Sequence, residues 1–343
     1  MSSSGTCQIA AANLPAELRG LHRDMVPLLA LDSREDTVSL GTFRQSIGHL
    51  LREGDLIVFN DSRMVASSFS AYFRSIDRFG RINAGTTRIG SRFLVEPRPK
   101  EVNPLLTPGD EFTLAGSNYT FTLTGRHTRF KRYWWAEGAK EADHLIQEGI
   151  HAVPIRYGYI PFDLPLSYYS GPFATVPGSV EYPSASRPFT RVVMESLWGK
   201  GIRTATLTLH CNLGSLEPHE FEHSDKLIEE YYSIPAKTLS MIESTKRHGG
   251  RIIAAGTTVT RAIESAYTDT GAAVKSGWTD LFIRPGNQVN IVDGLITGIH
   301  DEESSHLSMV HAFAGKSLVR SALGISCENG LLQHEFGDSM IVL

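Results

Sequence analysis

The stretch Arg251-Ile-Ile-Ala-Ala-Gly256-Thr257-Thr258-Val-Thr-Arg261 runs from an apolar segment into a glycine and then into a helix-forming sequence. The first amides of such a helix have no partner within it, and its dipole is positive at that end, so an anion is favoured there. Thr257 or Thr258 can act as the N-cap, and Arg261, one turn further, would add a cation. A phosphate or an amino-acid carboxylate would satisfy this site equally. The same pattern suits an ordinary capped strand–helix junction, and the lack of a following Gly-Lys-Ser/Thr separates it from a P-loop.

Four other loops place reactive groups where strands end. In Thr208-Leu209-His210-Cys211-Asn212-Leu213-Gly214, His210 can serve as a base, a hydrogen-bond donor or a buried partner of a carbonyl. Asn60-Asp61-Ser62-Arg63 and Ser276-Gly277-Trp278-Thr279-Asp280 each combine a carboxylate with a hydroxyl and a nearby cation, a combination that Asx turns also produce. In Glu229-Glu230-Tyr231-Tyr232 a carboxylate stands beside phenols, suited to a cationic or ribose-like ligand or simply to solvent. His219 and His223 stand at i, i+4 in an acidic stretch that does not read as a zinc site, so no metal is expected.

The elements that must position these loops follow from local pattern. The run 55–59 is a short apolar strand, and beyond Phe189 strands and helices alternate. Helices are expected over 190–200, 236–248 and 257–268, and strands over 203–210, 251–255 and 280–283. This βα order implies an α/β main domain with a mostly parallel sheet. Between Ala66 and Ala152 the texture changes to short alternating runs such as RFLVEPR and YTFTLTG separated by turn residues, as in a small antiparallel β-barrel, with a helix resuming over 141–149. The expected organisation is therefore an α/β domain of residues 1–65 plus 153–343, interrupted by an inserted β-barrel domain of residues 66–152.

Composition sets outer limits. The 343 residues include 33 basic and 37 acidic side chains, a formal charge of −4, which excludes a whole-chain polycation. The charge is uneven, because residues 66–132 carry eleven basic and five acidic groups, all the basic ones between Arg74 and Arg132. Within them, GRHTRFKRYWW interleaves cations with aromatic rings, as single-strand nucleic-acid grooves do and as a solvated hairpin also can. Three widely spaced cysteines do not make a disulfide framework, and no apolar run reaches the roughly 18 residues of a membrane span. With no secretory leader pattern at the start, the chain reads as soluble, of a reducing compartment, most simply cytoplasmic.

Taken in order, NDSR, LTLHCNLGSLEP, EEYYSIP, GGRIIAAGTTVTRAIESA, SGWTDLFIRPG, VDGLITGIH, HAFAG and a closing FGDSMIVL resemble the S-adenosylmethionine:tRNA ribosyltransferase-isomerase family of queuosine biosynthesis. The match is in register from about Leu14 to Leu343 and densest from Thr206. The resemblance implies an α/β domain interrupted by a β-barrel, with S-adenosylmethionine as co-substrate. It implies that the ribosyl part of that molecule moves to the aminomethyl group of a 7-deazaguanine in tRNA and rearranges to an epoxycyclopentanediol, while adenine and methionine leave. Such a reaction needs a base at the acidified C5′ hydrogen, help for adenine departure and an anchor for the methionine carboxylate. On this chain Gly256, Thr257, Thr258 and Arg261 are the expected anchor. His210, Asp280 and Glu230 are the candidates for proton transfer, and Asn60, Asp61, Arg63, Tyr231 and Thr279 complete the expected binding set.

Departures from the family pattern fall in loops. Pro183-Ser184-Ala185-Ser186-Arg187-Pro188-Phe189-Thr190 lacks the family's Gly-Leu-His, Asp225 to Glu229 lacks two further histidines, and Asp301-Glu302-Glu303 stands where the family has Leu-Pro-Lys. The acidic exchange would repel a phosphate backbone. The first reading is therefore a ribosyltransferase-isomerase acting on a tRNA-borne deazaguanine, the alternatives being a paralogue with a small-molecule acceptor or a non-catalytic S-adenosylmethionine- or RNA-binding protein.

Overall fold

In the strand Leu56–Asn60, Leu56 and Val58 point to one side and Ile57 and Phe59 to the other, and all four are fully buried. Ile252–Ala255 repeats the pattern, with Ile252 and Ala254 in one apolar cluster and Ile253 and Ala255 in another. Strands buried on both faces require a helical layer on each side. The computed structural model describes residues 8–138, 150–214, 216, 218–267 and 273–343, and it has that layering. Helices Phe43–Leu50 and Arg191–Gly199 cover one face through Phe43, Ile47, Val193 and Leu197. Helices Ala236–Arg247, Thr257–Ala266 and Ser305–Glu328 cover the other.

The sheet has nine strands in the order Ser276–Thr279, Glu230–Ser233, Arg203–Leu209, Leu56–Asn60, Ile252–Ala255, Gly294–Gly298, Ser339–Val342, Pro27–Asp32 and Thr37–Thr42. Its centre, from Arg203–Leu209 to Gly294–Gly298, pairs in parallel, as do Pro27–Asp32 and Ser339–Val342, while the outer pairings are antiparallel. One expected strand is shifted. Residues 280–283 are irregular, and the strand is Ser276–Thr279, which pairs with Glu230–Ser233 and leaves Asp280 just past its end. The expected helix over 141–149 and the end of the one over 257–268 lie outside the described residues.

Six antiparallel strands, Ser68–Phe73, Arg78–Ile89, Arg92–Arg98, Trp134–Gly138, Thr120–Arg126 and Glu111–Leu114, form a barrel closed by pairing of the first with the last. Phe69, Phe73, Phe112, Phe121, Leu123 and Trp134 fill it. The long strand Arg78–Ile89 breaks register between Ala84 and Arg88, where it meets the main sheet. There Thr86 N donates to Asn212 Oδ1 at 2.9 Å, and a Cβ on Gly85 would lie 2.6 Å from that oxygen, so only glycine permits the approach.

The barrel corrects one expectation. The rings of GRHTRFKRYWW are no open stacking platform, because Phe130, Tyr133, Trp134 and Trp135 are buried. Arg126 lies over Trp134 at 4.2 Å and donates to the Asn103 and Leu106 carbonyls, and Arg132 lies over Tyr133 at 4.4 Å. Interleaving of cations and rings here packs a β-hairpin against its own strand. Of the described cysteines, Cys327 is disulfide-bonded and Cys211 is free and buried. No described helix is long and apolar enough to cross a membrane.

Candidate active site

Ile252–Ala255 ends at Gly256, whose φ of 115° is open to glycine and strained for any other residue. Gly256 N donates to Ile296 O at 2.8 Å, which pins the turn to the neighbouring strand. The chain then enters helix Thr257–Ala266 with Gly256 itself as N-cap and no side-chain cap, so neither Thr257 nor Thr258 takes the capping place expected of it. Thr258 Oγ1 is instead held by Asn60 Nδ2 at 3.3 Å. Without a side-chain acceptor, the first-turn amides remain available to an anion in the cleft in front of them.

That cleft lies beyond the carboxyl ends of the central parallel strands, where open α/β sheets bind ligands. Gly256, Thr257, Thr258, Arg261 and Glu230 line it, which unites the expected anchor with one of the three proton-transfer candidates. Arg261 does not reach freely toward an anion, however. Its Nη1 is ion-paired with Glu230 Oε2, Nε donates to Leu281 O at 2.8 Å and Nη2 to Thr279 O at 3.2 Å. Glu230 is 4% exposed, Arg261 6%, and Glu230 Oε1 also accepts the Asn212 amide at 2.8 Å. The buried pair is thus a strut that fixes the cleft floor, and Glu230 is committed as an acceptor. Thr279 stands behind it, its hydroxyl 2.6 Å from Ser265 Oγ.

The other expected residues lie outside the cleft lining. His210 Nδ1 is 2.7 Å from Ser62 Oγ, in a network that includes Ser179, and its ring packs where a Cβ on Gly178 would stand at 2.5 Å. Burial lowers its pKa. Asp280 pairs with Lys226 at 2.6 Å, where both side chains are partly exposed. Asp61 accepts from Thr208 Oγ1 at 2.6 Å, Tyr231 packs edge-on to Trp278, and Arg63 is exposed on the short strand Ser62–Met64. Asn60 acts from beneath, since its Oδ1 accepts the amides of Ser62 and Leu209 while Nδ2 steadies Thr258.

Several lining residues were not singled out from the sequence. His300 and His306 stack at 4.3 Å, and Tyr157, Glu181 and Glu335 complete the wall opposite the helix N-terminus. Antiparallel pairing of Gly294–Gly298 with Ser339–Val342, continued by His334 N donating to Ile299 O at 2.8 Å, brings the two C-terminal segments together. The strings VDGLITGIH and FGDSMIVL flank these residues and were the available signal. Burial pushes His306 down to about 4 and His300 well below its ordinary value, and it pushes Glu335 up to about 7. The Cys211 thiol is also pushed up by burial. Among the described residues no three His, Cys, Asp or Glu side chains converge as a metal site would require.

The queuosine biosynthesis protein family matches residues 8–342. An S-adenosylmethionine:tRNA ribosyltransferase-isomerase of Caldanaerobacter subterraneus is 32% identical, with 92% of each chain covered. One from Heliobacterium modesticaldum is 32% identical over 97% of this chain and 96% of its own, and one from Gloeobacter violaceus is 31% identical. The crystal structure of an S-adenosylmethionine tRNA ribosyltransferase from Thermotoga maritima shares the fold, at a TM-score of 0.55 and 24% identity over 98% of both chains. From its first described strand to its last, the chain belongs to the queuosine biosynthesis protein family.

Proposed function

We propose that this chain is an S-adenosylmethionine-dependent ribosyltransferase-isomerase of the queuosine pathway, with a tRNA-borne 7-aminomethyl-7-deazaguanine as acceptor. The observation that carries the reading is the uncapped helix N-terminus at Gly256–Thr258, opening into a cleft with a buried ion pair on its floor and a protonatable carboxyl on its far wall. The amides of the first turn would hold the methionine carboxylate, and Asn60 would keep Thr258 in place. Neutral His300 and His306 offer hydrogen bonds without repelling a sulfonium. The relatives named above are S-adenosylmethionine:tRNA ribosyltransferase-isomerases.

The acceptor has an open approach. A groove of about 820 Å3 runs between barrel and main sheet to Tyr157 and Glu181 at the cleft, and Arg81, Arg98, Lys100, Arg132 and Arg156 line it together with Glu96, Glu101, Asp163 and Asp301. The cations offer contacts to a phosphate backbone, although Arg81, Arg98, Arg132 and Arg156 each also pair with a carboxylate. One observation favours the small-molecule acceptor instead: Asp301, Glu302 and Glu303 stand at the mouth of the adjoining cleft.

Incubation with labelled S-adenosylmethionine separates the two. Adenine release that requires tRNA bearing the deazaguanine supports the tRNA reading, and release without tRNA favours the small molecule. No release under either condition would overturn the enzymatic reading. Asp280→Asn is expected to leave the rate of adenine release within about twofold, because an exposed ion pair contributes little. A larger loss would return Asp280 to the chemistry.

A further inference from the structure

Glu335 lies in the loop between Leu332–Gln333 and Ser339–Val342, after His334 in the left-handed region at φ 74°. Its side chain borders the same cleft as Gly256, Thr258 and Arg261. It also borders two adjoining clefts. Oε2 is buried and makes no hydrogen bond. A buried carboxyl oxygen without a donor is uncommon in folded proteins, and beside a cleft it is open to a partner that a ligand can supply.

The other carboxylates of the neighbourhood are taken. Glu230 holds Arg261 and the Asn212 amide, Asp280 holds Lys226, and Glu181 is already engaged. His210 is tied to Ser62 outside the cleft. We propose that Glu335 is a catalytic residue of this chain, the general base that removes the C5′ proton of S-adenosylmethionine. The proposal rests on the functional reading above. In the step, the C5′–H bond breaks and an O–H bond forms on the Glu335 carboxylate. The electron pair stays on the carbon beside the positive sulfur, and no other reactant is needed.

A base that titrates near neutrality is matched to this task, and burial lifts Glu335 to about 7. The ionisable groups sharing its clefts are Tyr157, Glu181, His300, His306 and the Glu230–Arg261 pair in the first, Arg23, Arg187, His334 and Asp338 in the second, and Tyr159, Asp301, Glu302 and Glu303 in the third. Glu335 contributes to the raised pKa of Tyr157, and both histidines are held neutral by burial. A sulfonium placed beside Glu335 favours the ionised carboxylate, so binding should tighten as pH rises through about 7.

The test compares the native chain with Glu335→Gln and Glu335→Asp in three measurements: S-adenosylmethionine binding by calorimetry at pH 6 and pH 8, incorporation of solvent deuterium at C5′, and adenine release with the modified-base tRNA precursor. Glu335→Gln should lower deuterium incorporation and kcat by about 100-fold or more while it still binds S-adenosylmethionine. Its affinity should lose the tightening between pH 6 and pH 8 that the native chain shows. Glu335→Asp should recover part of kcat, which a purely structural role would not require, and it carries the test should Glu335→Gln fail to fold. Turnover by Glu335→Gln within about threefold of native would overturn the assignment. A native chain that gives no heat with S-adenosylmethionine would overturn the functional reading itself.

Discussion

Arg261→Ala is expected to destabilise the fold by about 3–5 kcal/mol, because it leaves the Glu230 carboxylate buried with its counter-charge gone. The guanidinium also satisfies the carbonyls of Leu281 and Thr279, so three acceptors lose a donor at once. The loss propagates to the site. Glu230 Oε1 accepts the Asn212 amide, and Asn212 in turn holds Thr86 of the barrel and the Glu229 carbonyl, so the ion pair is continuous with the barrel–sheet contact. Urea denaturation should show the drop directly. Replacing both partners, as Arg261→Met with Glu230→Gln, should return the part of the stability lost to the unpaired charge, while the Leu281 and Thr279 carbonyls stay without their donor. That rescue distinguishes the strut from an anion-binding arginine. Affinity for S-adenosylmethionine should fall far more in the single variant than in the double one.

Gly256→Val should affect binding more than any other single change in the anchor. At φ 115° a β-branched residue is strained, and a Cβ would stand 3.3 Å from Ala185 Cβ and 3.4 Å from Thr258 Oγ1. The backbone can relieve this only by turning the first amides of the helix away from the cleft. A loss of about 2–3 kcal/mol in binding, roughly 30- to 150-fold in Kd, corresponds to losing charge-assisted hydrogen bonds to a carboxylate. Calorimetry with S-adenosylmethionine measures it. Circular dichroism should show the fold retained, because the strand Ile252–Ala255 is anchored on both sides independently of that turn.

The strand–glycine–helix turn was legible in the sequence because its parts are local. Strand, glycine and helix stand within eleven residues, and period and turn chemistry alone locate them. What Arg261 touches was not legible, since Glu230 stands 31 positions earlier in the chain and reaches it only through folding. The cleft's far wall was hidden for the same reason. His300 and Glu335 meet because Gly294–Gly298 and Ser339–Val342 pair antiparallel across the long C-terminal helix, which no spacing rule reveals. The strand expected over 280–283 was misplaced because Asp280-Leu-Phe-Ile is apolar enough to read as a strand. Its side chains in fact pack as an irregular segment, with Phe282 and Ile283 buried. The basic, aromatic hairpin of the barrel failed in the opposite direction, since composition matched a nucleic-acid groove while the rings were needed inside.

Amide hydrogen exchange of the full chain with and without S-adenosylmethionine tests the central claim most directly. If the sulfonium nucleoside sits with its carboxylate on the open helix end, amides of Gly256 to Thr260 should gain protection together with those near Ala185 and His300. Protection confined to other segments, with these amides exchanging unchanged, would contradict the account.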